Sequence, residues 1–175
     1  MTVLSQKLAR IRLIVSDVDG TLTDGRIFVS SEGHISKAYT VRDGLASNIW
    51  VRTGGLFAIL TGRPECKSVS VRAREMKAHR TVFNSSNKEE DFLKLCQELE
   101  IPASEAAFLG DDLIDLPAMR HSGLSVAVAD AAPEVMQSVD LVLTTPGGMG
   151  ALRELVTQIM TARGDWHTAI ERFTR

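Results

Sequence analysis

The chain has few cysteines, little net charge and no long apolar run. Its two cysteines, Cys66 and Cys96, lie far apart and lack the spacing of a disulfide framework or a metal site. We therefore expect reduced thiols in a cytoplasmic protein. A net charge of −2 gives little attraction to the phosphate backbone, so we do not expect a nucleic-acid partner.

No apolar stretch approaches the roughly 20 residues that a membrane-spanning helix needs. The longest runs are short, such as residues 13–15 and 56–60. Residues 1–14 carry charges but no apolar segment with a small-residue cleavage site, so we expect neither a secretory signal nor a membrane partner. Hydrophobic residues still make up 44% of the 175 residues, which predicts a single domain spanning residues 1–175.

Short apolar runs alternate with amphipathic segments of helical length. The predicted strands lie at residues 11–15, 57–60, 81–83, 106–109, 124–128 and 141–143. The predicted helices lie at residues 43–52, 65–76, 88–99, 113–120, 133–138 and 151–160. This alternation predicts an α/β fold, a doubly wound Rossmann-like parallel sheet with helices on both faces.

Two segments depart from this alternation. Residues 25–41 hold two short apolar runs around the turn-like stretch Ser31-Glu32-Gly33, which predicts a β-hairpin flap. The tail, residues 163–175, shows no regular pattern. A docking arm and a frayed end are equally good interpretations of it.

Polar side chains follow the C-terminal ends of four predicted strands. In chain order they are Asp17, Asp19, Thr21 and Asp24, then Thr61 and Arg63, then Lys88, then Asp111, Asp112 and Asp115. Open α/β sheets bind ligands at this edge, where neighbouring strands lie about 5 Å apart. Clustered carboxylates repel one another unless a cation lies among them, and oxygen ligands near phosphate favour Mg²⁺.

This combination of residue types suits phosphoryl transfer. A carboxylate can attack phosphorus and form an aspartyl-phosphate. A second carboxyl two residues later can protonate the leaving oxygen and then take a proton from water. A lysine and a hydroxyl can hold the phosphoryl oxygens, while a metal offsets the negative charge.

Other phosphate-binding and cation-binding motifs do not fit. The chain contains no P-loop sequence and no G-x-G-x-x-G sequence. An EF-hand loop beginning at Asp17 would need glycine and glutamate where Leu22 and Phe28 stand.

Four stretches resemble the motifs of the haloacid dehalogenase superfamily of phosphatases. Residues 17–25 (DVDGTLTDG) resemble the first, residues 60–63 (LTGR) the second, residues 87–88 (NK) the third and residues 110–115 (GDDLID) the fourth. They occur in the family's order, each after a predicted strand, and the resemblance spans about residues 11–160.

The resemblance implies a role for each matching residue. It implies Asp17 as the nucleophile and Asp19 as the general acid and base. Thr61 and Lys88 would hold the phosphate. Mg²⁺ would be held by Asp17, the main-chain carbonyl of Asp19 and Asp111, with Asp112 in support.

The spacing of the motifs leaves no room for a cap domain. The intervals from Thr61 to Lys88 and from Lys88 to Asp111 barely fit a helix and a strand each. An open site admits water, so a neighbouring subunit could close it. The hairpin and the stretches at residues 41–44, 110–116, 123–130 and 147–154 resemble the tetrameric, capless phosphatases of 3-deoxy-D-manno-octulosonate 8-phosphate, which serve lipopolysaccharide synthesis.

By the same resemblance, a set of residues would touch a phosphorylated keto-sugar acid. They are Asp19, Thr40, Val41, Arg42, Asp43, Gly44, Asn48, Arg63, Arg72 and Lys88. Related phosphatases of nine-carbon keto-sugar acids carry Glu where Arg63 stands. By this resemblance Arg63 favours the eight-carbon substrate, and its guanidinium could pair bidentately with the carboxylate of the sugar acid. Asn48 stands where the family usually has a basic residue.

Structural roles remain open for several of these residues. Asp43 is a candidate N-cap of the following helix. Asp24 could belong to the hairpin turn, and Asp115 could brace its loop. Arg42 and Arg72 could be solvated surface charges.

Two other classes of function also remain open. One is a receiver-type phosphoacceptor module, which is disfavoured because its acceptor follows the third strand, whereas Asp17 follows the first. The other is a catalytically silent assembly domain, against which the intact set of Asp17, Asp19, Lys88 and Asp111 argues.

Overall fold

Six parallel strands form the centre of the molecule in the computed structural model, which describes residues 2–174 apart from the side chain of Arg172. The strands in chain order are β1 (Leu13–Ser16), β2 (Phe28–Val29), β3 (Ile35–Ser36), β4 (Leu56–Leu60), β5 (Arg80–Val82), β6 (Ala106–Gly110), β7 (Leu124–Ala127) and β8 (Leu141–Val142). The main sheet has the order β5-β4-β1-β6-β7-β8, and every pair in it is parallel. The chain order reverses between β1 and β6, which is where open α/β sheets form their ligand crevice.

Within residues 2–174, eight α-helices connect and cover the strands. They are α1 (Val3–Arg10), α2 (Val41–Arg52), α3 (Lys67–Glu75), α4 (Lys88–Glu98), α5 (Leu116–His121), α6 (Pro133–Met136), α7 (Ala151–Arg163) and α8 (Trp166–Thr174). Two 3-10 turns, Ala103–Glu105 and Leu113–Asp115, precede β6 and α5. Helices α1, α2 and α7 pack together, and α4 packs on α5. Because helices cover both faces, β1, β6 and β7 are buried along their whole length.

The predicted doubly wound fold is confirmed, and the predicted hairpin is present. Strands β2 and β3 pair antiparallel, with Phe28 opposite Ser36 and Val29 opposite Ile35. All four of these residues are exposed. Within residues 2–174, no helix is both long enough and apolar enough to cross a membrane.

Both ends of the chain are more regular than the sequence analysis predicted. Helix α1 was not predicted, although the Thr2 hydroxyl caps it by accepting the Ser5 N–H, and Leu8 is buried. The tail is helix α8, so the prediction of no regular pattern is wrong. Trp166, Ala169, Ile170 and Phe173 recur at helical spacing, and the guanidinium of Arg153 stacks 4.8 Å from the centre of the Trp166 ring.

Candidate active site

The crevice between β1 and β6 brings together the acidic residues that follow these strands. Asp17 comes directly after β1, and its N–H donates to the Leu109 carbonyl at 2.9 Å, which extends the pairing with β6 by one residue. Asp111 comes directly after β6. The topology therefore fixes both carboxylates at one edge of the sheet.

A buried lysine links two of the acids in this crevice. Lys88 begins α4, and its Nζ lies 2.5 Å from Oδ1 of Asp17 and 2.5 Å from Oδ1 of Asp115. Burial opposes the charged form of Lys88, but the charges of Asp115 and Asp17 outweigh it and raise the pKa of the ammonium group. Lys88 therefore stays protonated and holds a fixed position in the crevice.

Asp115 braces the loop that follows β6. Its Oδ2 accepts the backbone N–H groups of Asp111 at 3.0 Å and Asp112 at 3.3 Å. A Cβ at Gly110 would lie 2.4 Å from the same oxygen, so only glycine allows this approach. The bracing role considered for Asp115 thus agrees with its contacts.

The crevice holds more negative charge than its lysine can balance. Asp17, Asp111 and Asp115 each present one carboxylate oxygen within 4.8 Å of the other two. Burial first, and then the charge of Asp115, raises the pKa of Asp17 and raises the pKa of Asp111 to about 7. Carboxylate oxygens are the ligands that a hard divalent cation prefers, and Asp17 and Asp111 present them at one point of the crevice, so the site fits Mg²⁺.

Asp19 and Arg63 line the open side of the crevice. This cleft has a volume of about 320 Å³ and is lined by Asp17, Asp19, Thr61, Gly62, Arg63, Asp111, Asp112 and Ile114. The Thr61 hydroxyl is buried where it accepts the Arg63 N–H at 3.3 Å. Arg63 is half-exposed, with its Nε 3.9 Å from Oδ2 of Asp19. The predicted acid, phosphate-holding hydroxyl and guanidinium therefore share one cavity.

Most of the other predicted substrate contacts lie in a separate groove. This second groove has a volume of about 390 Å³ and is lined by Val41, Gly44, Leu45, Asn48, Arg52, Arg72, Glu75 and Phe173. Arg72 is not a solvated charge, because its Nη2 donates to the Thr40 carbonyl at 2.7 Å and its side chain is largely buried. Asn48 donates to the carbonyls of Gly44 and Glu75. Within one chain, these groups do not meet Asp17.

The N-cap interpretation of Asp43 is wrong. Helix α2 begins two residues earlier than predicted, and Thr40 caps it by accepting the Arg42 N–H. Asp43 is buried inside the first turn, where its Oδ1 accepts the Arg153 N–H at 2.9 Å. Burial raises the pKa of Asp43 to about 6. Arg42 itself is exposed, in line with a surface charge.

Two further predicted acids have local partners. Asp24 accepts the N–H and the Nε–H of Arg26, which agrees with a role in the turn into the hairpin. Asp112 is exposed and accepts the Leu113 N–H at 2.7 Å, so its carboxylate caps the short turn that Asp115 closes.

Sequence reasoning placed Thr21 at this edge of the sheet but did not assign Lys37 or Gly148 to the site. Lys37 in the hairpin contacts both carboxylate oxygens of Asp19 at 2.6 Å. The Thr21 hydroxyl donates to Oδ1 of Asp111 at 3.0 Å. The Gly148 N–H donates to the Thr21 carbonyl at 3.0 Å, which supports the loop that follows β1. A single lysine in an exposed hairpin carries no sequence signal of this kind, whereas Gly148 lies within the stretch at residues 147–154 that carries part of the resemblance.

Comparison with known proteins gives the same family as the motifs. Residues 77–153 match the family described as haloacid dehalogenase-like hydrolases. The chain is 40% identical over 158 residues to the 3-deoxy-D-manno-octulosonate 8-phosphate phosphatase of Escherichia coli K12, covering 90% of this chain and 84% of that protein. The Haemophilus influenzae enzyme of the same name is 36% identical, with coverages of 92% and 89%. The chain belongs to the haloacid dehalogenase-like hydrolases.

Solved structures resemble this hydrolase along almost its whole length. A Moraxella catarrhalis 3-deoxy-D-manno-octulosonate 8-phosphate phosphatase, in complex with magnesium ion, phosphate ion and KDO, superposes with a TM-score of 0.94 at 35% identity, covering 97% of both chains. The Yersinia pestis phosphatase of the same name superposes with a TM-score of 0.91 at 36% identity, covering 94% of this hydrolase and 88% of that chain.

Proposed function

We propose that this hydrolase is a Mg²⁺-dependent phosphomonoesterase that releases phosphate from 3-deoxy-D-manno-octulosonate 8-phosphate through an aspartyl-phosphate at Asp17. The observation that carries the proposal is the group of Asp17, Asp111, Asp115 and Lys88 in the crevice between β1 and β6. The relatives that share most of the chain are phosphatases of that sugar acid.

Asp17 is placed to be the nucleophile. Its carboxylate lies at the floor of the cleft, and Lys88 holds its Oδ1. A carboxylate fixed in this way is oriented before substrate arrives, which lowers the entropic cost of attack on phosphorus. The ammonium group of Lys88 and the hydroxyl of Thr61 are the nearby donors for phosphoryl oxygens, so the negative charge that develops there has partners.

Asp19 is placed to move the protons. It lies two residues beyond the nucleophile on the same cleft wall, with its side chain 19% exposed. A carboxyl in this position can give a proton to the leaving sugar oxygen and later take one from the attacking water. Both steps need the carboxyl to face the same side of the phosphorus.

Asp17 and Asp111 would hold the Mg²⁺ ion, together with the main-chain carbonyl of Asp19. When bound, Mg²⁺ offsets the repulsion between the anionic nucleophile and the anionic phosphate ester. Asp115 is less available as a ligand, because Lys88 and two backbone N–H groups already occupy its oxygens. Its role in this account is to fix Lys88 and the Asp111 loop.

Arg63 supports the assignment of a sugar-acid substrate. Its side chain is 47% exposed at the mouth of the cleft. A guanidinium in that position can pair with the carboxylate of a keto-sugar acid. Of the remaining predicted substrate contacts, Thr40, Val41, Arg42, Gly44, Asn48 and Arg72 would reach the cleft from a neighbouring chain, whereas Asp43 is buried against α7 of its own chain.

We also propose a homotetramer in the cytoplasm. Phe28 and Val29 on the hairpin are 55% and 65% exposed, and an isolated two-stranded hairpin is marginally stable in water. Packing against a neighbouring subunit would cover these side chains and bring the second groove of one chain to the cleft of another. Both cysteines are free thiols, which suits a reducing compartment. Light scattering and cell fractionation test these two points.

Phosphate release from a small substrate panel tests the activity. The panel holds 3-deoxy-D-manno-octulosonate 8-phosphate, the nine-carbon keto-sugar acid 9-phosphate and a hexose 6-phosphate, each with Mg²⁺ and with EDTA. We expect the octulosonate ester to be preferred by more than about tenfold, or about 1.4 kcal/mol of transition-state discrimination, and Asp17→Asn to be inactive. Activity that survives Asp17→Asn would contradict the nucleophile, and an equal rate on every ester would contradict the substrate.

A further inference from the structure

The hairpin reaches into the cleft through one side chain. Lys37 follows β3, and its Nζ lies 2.6 Å from both Oδ1 and Oδ2 of Asp19. The Lys37 side chain is only 2% exposed, although all four residues of β2 and β3 are exposed. The one deeply buried cation of this flap therefore rests on the carboxylate that we assign to proton transfer.

This contact is unusual for a lysine in an exposed segment. Lysine is almost never fully buried unless it is paired, because removing the ammonium group from water is costly. A lysine that served only to attach the hairpin could pair with an acid outside the cleft. Lys37 instead takes both oxygens of Asp19, while Arg63 approaches Oδ2 of the same carboxylate at 3.9 Å.

We propose that Lys37 is a positioning residue for Asp19, so that the orientation of the acid and base carboxyl depends on the seating of the hairpin. The inference rests on the proposed function, since it takes Asp19 as the group that moves protons. It adds a specific consequence, which is that the seating of the flap affects the chemical step.

The two half-reactions show why orientation matters. In the first, an Asp17 oxygen bonds to phosphorus, the phosphorus–oxygen bond of the ester breaks, and the sugar oxygen takes its electron pair and the proton of Asp19. In the second, water attacks the aspartyl-phosphate and gives a proton to the Asp19 carboxylate. The Asp19 carboxyl must face the same position in both steps. Because Lys37 donates to both of its oxygens, Lys37 fixes that orientation.

Leaving groups of different basicity distinguish this role from a structural one. An alkoxide leaving from a sugar phosphate needs a proton, whereas 4-nitrophenolate departs without one. The parameter kcat/KM reports only steps up to departure of the leaving group, so the later hydrolysis common to both substrates does not enter it. A defect in Asp19 positioning should therefore appear with the sugar ester and be nearly absent with 4-nitrophenyl phosphate.

The experiment compares kcat/KM on both esters for wild type, Lys37→Met, Lys37→Gln, Lys37→Arg and Asp19→Asn. Lys94→Met on the exposed face of α4 is the charge-matched control. We expect Lys37→Met and Lys37→Gln to lose about 10- to 100-fold on the sugar ester and less than about threefold on the nitrophenyl ester. Lys37→Arg, which can still grip both oxygens, should retain activity within about threefold, as should Lys94→Met.

The outcomes separate the inference from the function that it rests on. Equal losses on both esters in the Lys37 variants, or no loss at all, would overturn the positioning role. Failure of Lys37→Arg to restore the sugar ester would overturn it as well. If Asp19→Asn itself loses equally on both esters, the acid role of Asp19 is wrong and the proposed mechanism fails first. Light scattering on each variant establishes that the subunit assembly is unchanged.

Discussion

Replacing Asp111 with asparagine should stabilise the metal-free protein while removing its response to Mg²⁺. Burial and the charges of Asp115 and Asp112 oppose ionisation of Asp111, and they outweigh the hydrogen bond from Thr21, so its pKa rises from 3.8 to about 7. The folded state therefore binds this proton more tightly than the unfolded chain does. Stability falls as the pH rises through the interval between these two values.

The magnitude follows from the width of that interval. At 1.36 kcal/mol per pKa unit, a rise from 3.8 to about 7 corresponds to at most ~4 kcal/mol lost by the wild type. Asp111 is only partly buried, so solvent screening reduces the figure. Asp111→Asn carries no charge, and it should be more stable than wild type at about pH 8 and equal to it near pH 4.

Urea denaturation with EDTA and with saturating Mg²⁺ measures both effects. Mg²⁺ at about 100 times its Kd should stabilise the wild type by ~2.7 kcal/mol and the variant far less. Asp140→Asn is the control of opposite sign, because hydrogen bonds from Lys7 and Ser125 outweigh burial and hold the pKa of Asp140 low. That substitution should destabilise the protein at neutral pH. Equal Mg²⁺ stabilisation of wild type and Asp111→Asn would refute the assignment of the metal site.

Three further substitutions test how the site is supported. Asp43→Asn should raise the free energy of unfolding by up to ~3 kcal/mol at about pH 8 and leave it unchanged near pH 4, because burial raises the pKa of Asp43 to about 6. An unchanged urea midpoint at pH 8 would contradict this. Asp115→Ala removes a buried partner of Lys88 and should lower the free energy of unfolding by about 3–5 kcal/mol in the same assay. A loss below ~1 kcal/mol would show that the ion pair with Asp115 is not required to keep Lys88 buried. Gly20→Ala should destabilise the protein by ~1–3 kcal/mol and weaken Mg²⁺ binding measured by calorimetry. Gly20 has a φ of 93°, and a Cβ added there would lie 2.0 Å from Oδ2 of Asp111. Wild-type Mg²⁺ affinity in this variant would contradict the close approach.

The fold was predictable because its signals are local. Strands buried on both faces appear as continuous apolar runs, and the acids at their ends follow from the parallel topology. Helix α1 was missed because its apolar stripe is short, and α8 because four apolar residues at helical spacing were not recognised in a polar tail. The start of α2 was placed too late because Thr40, rather than Asp43, supplies the N-cap.

The contacts that reach across the sequence were not predictable. Lys37 reaches Asp19 from a segment whose sequence indicates only a hairpin. Arg72 on α3 lies in the second groove, where it donates to the Thr40 carbonyl, and the spacing of residues in the sequence does not predict that position. Asp43 meets the N-terminus of α7 through packing of two helices distant in the chain. These are tertiary contacts between distant segments, whereas the motifs predict only which residues lie at the end of each strand.

Trapping the covalent intermediate tests the central claim most directly. The protein is mixed with 3-deoxy-D-manno-octulosonate 8-phosphate and Mg²⁺, quenched during turnover, and reduced with borohydride, which converts an aspartyl-phosphate into homoserine. Mass spectrometry of the peptide containing Asp17 then locates the change. The account predicts homoserine at position 17 only when both substrate and Mg²⁺ were present. Phosphate release without this conversion, or with conversion at another aspartate, would contradict it.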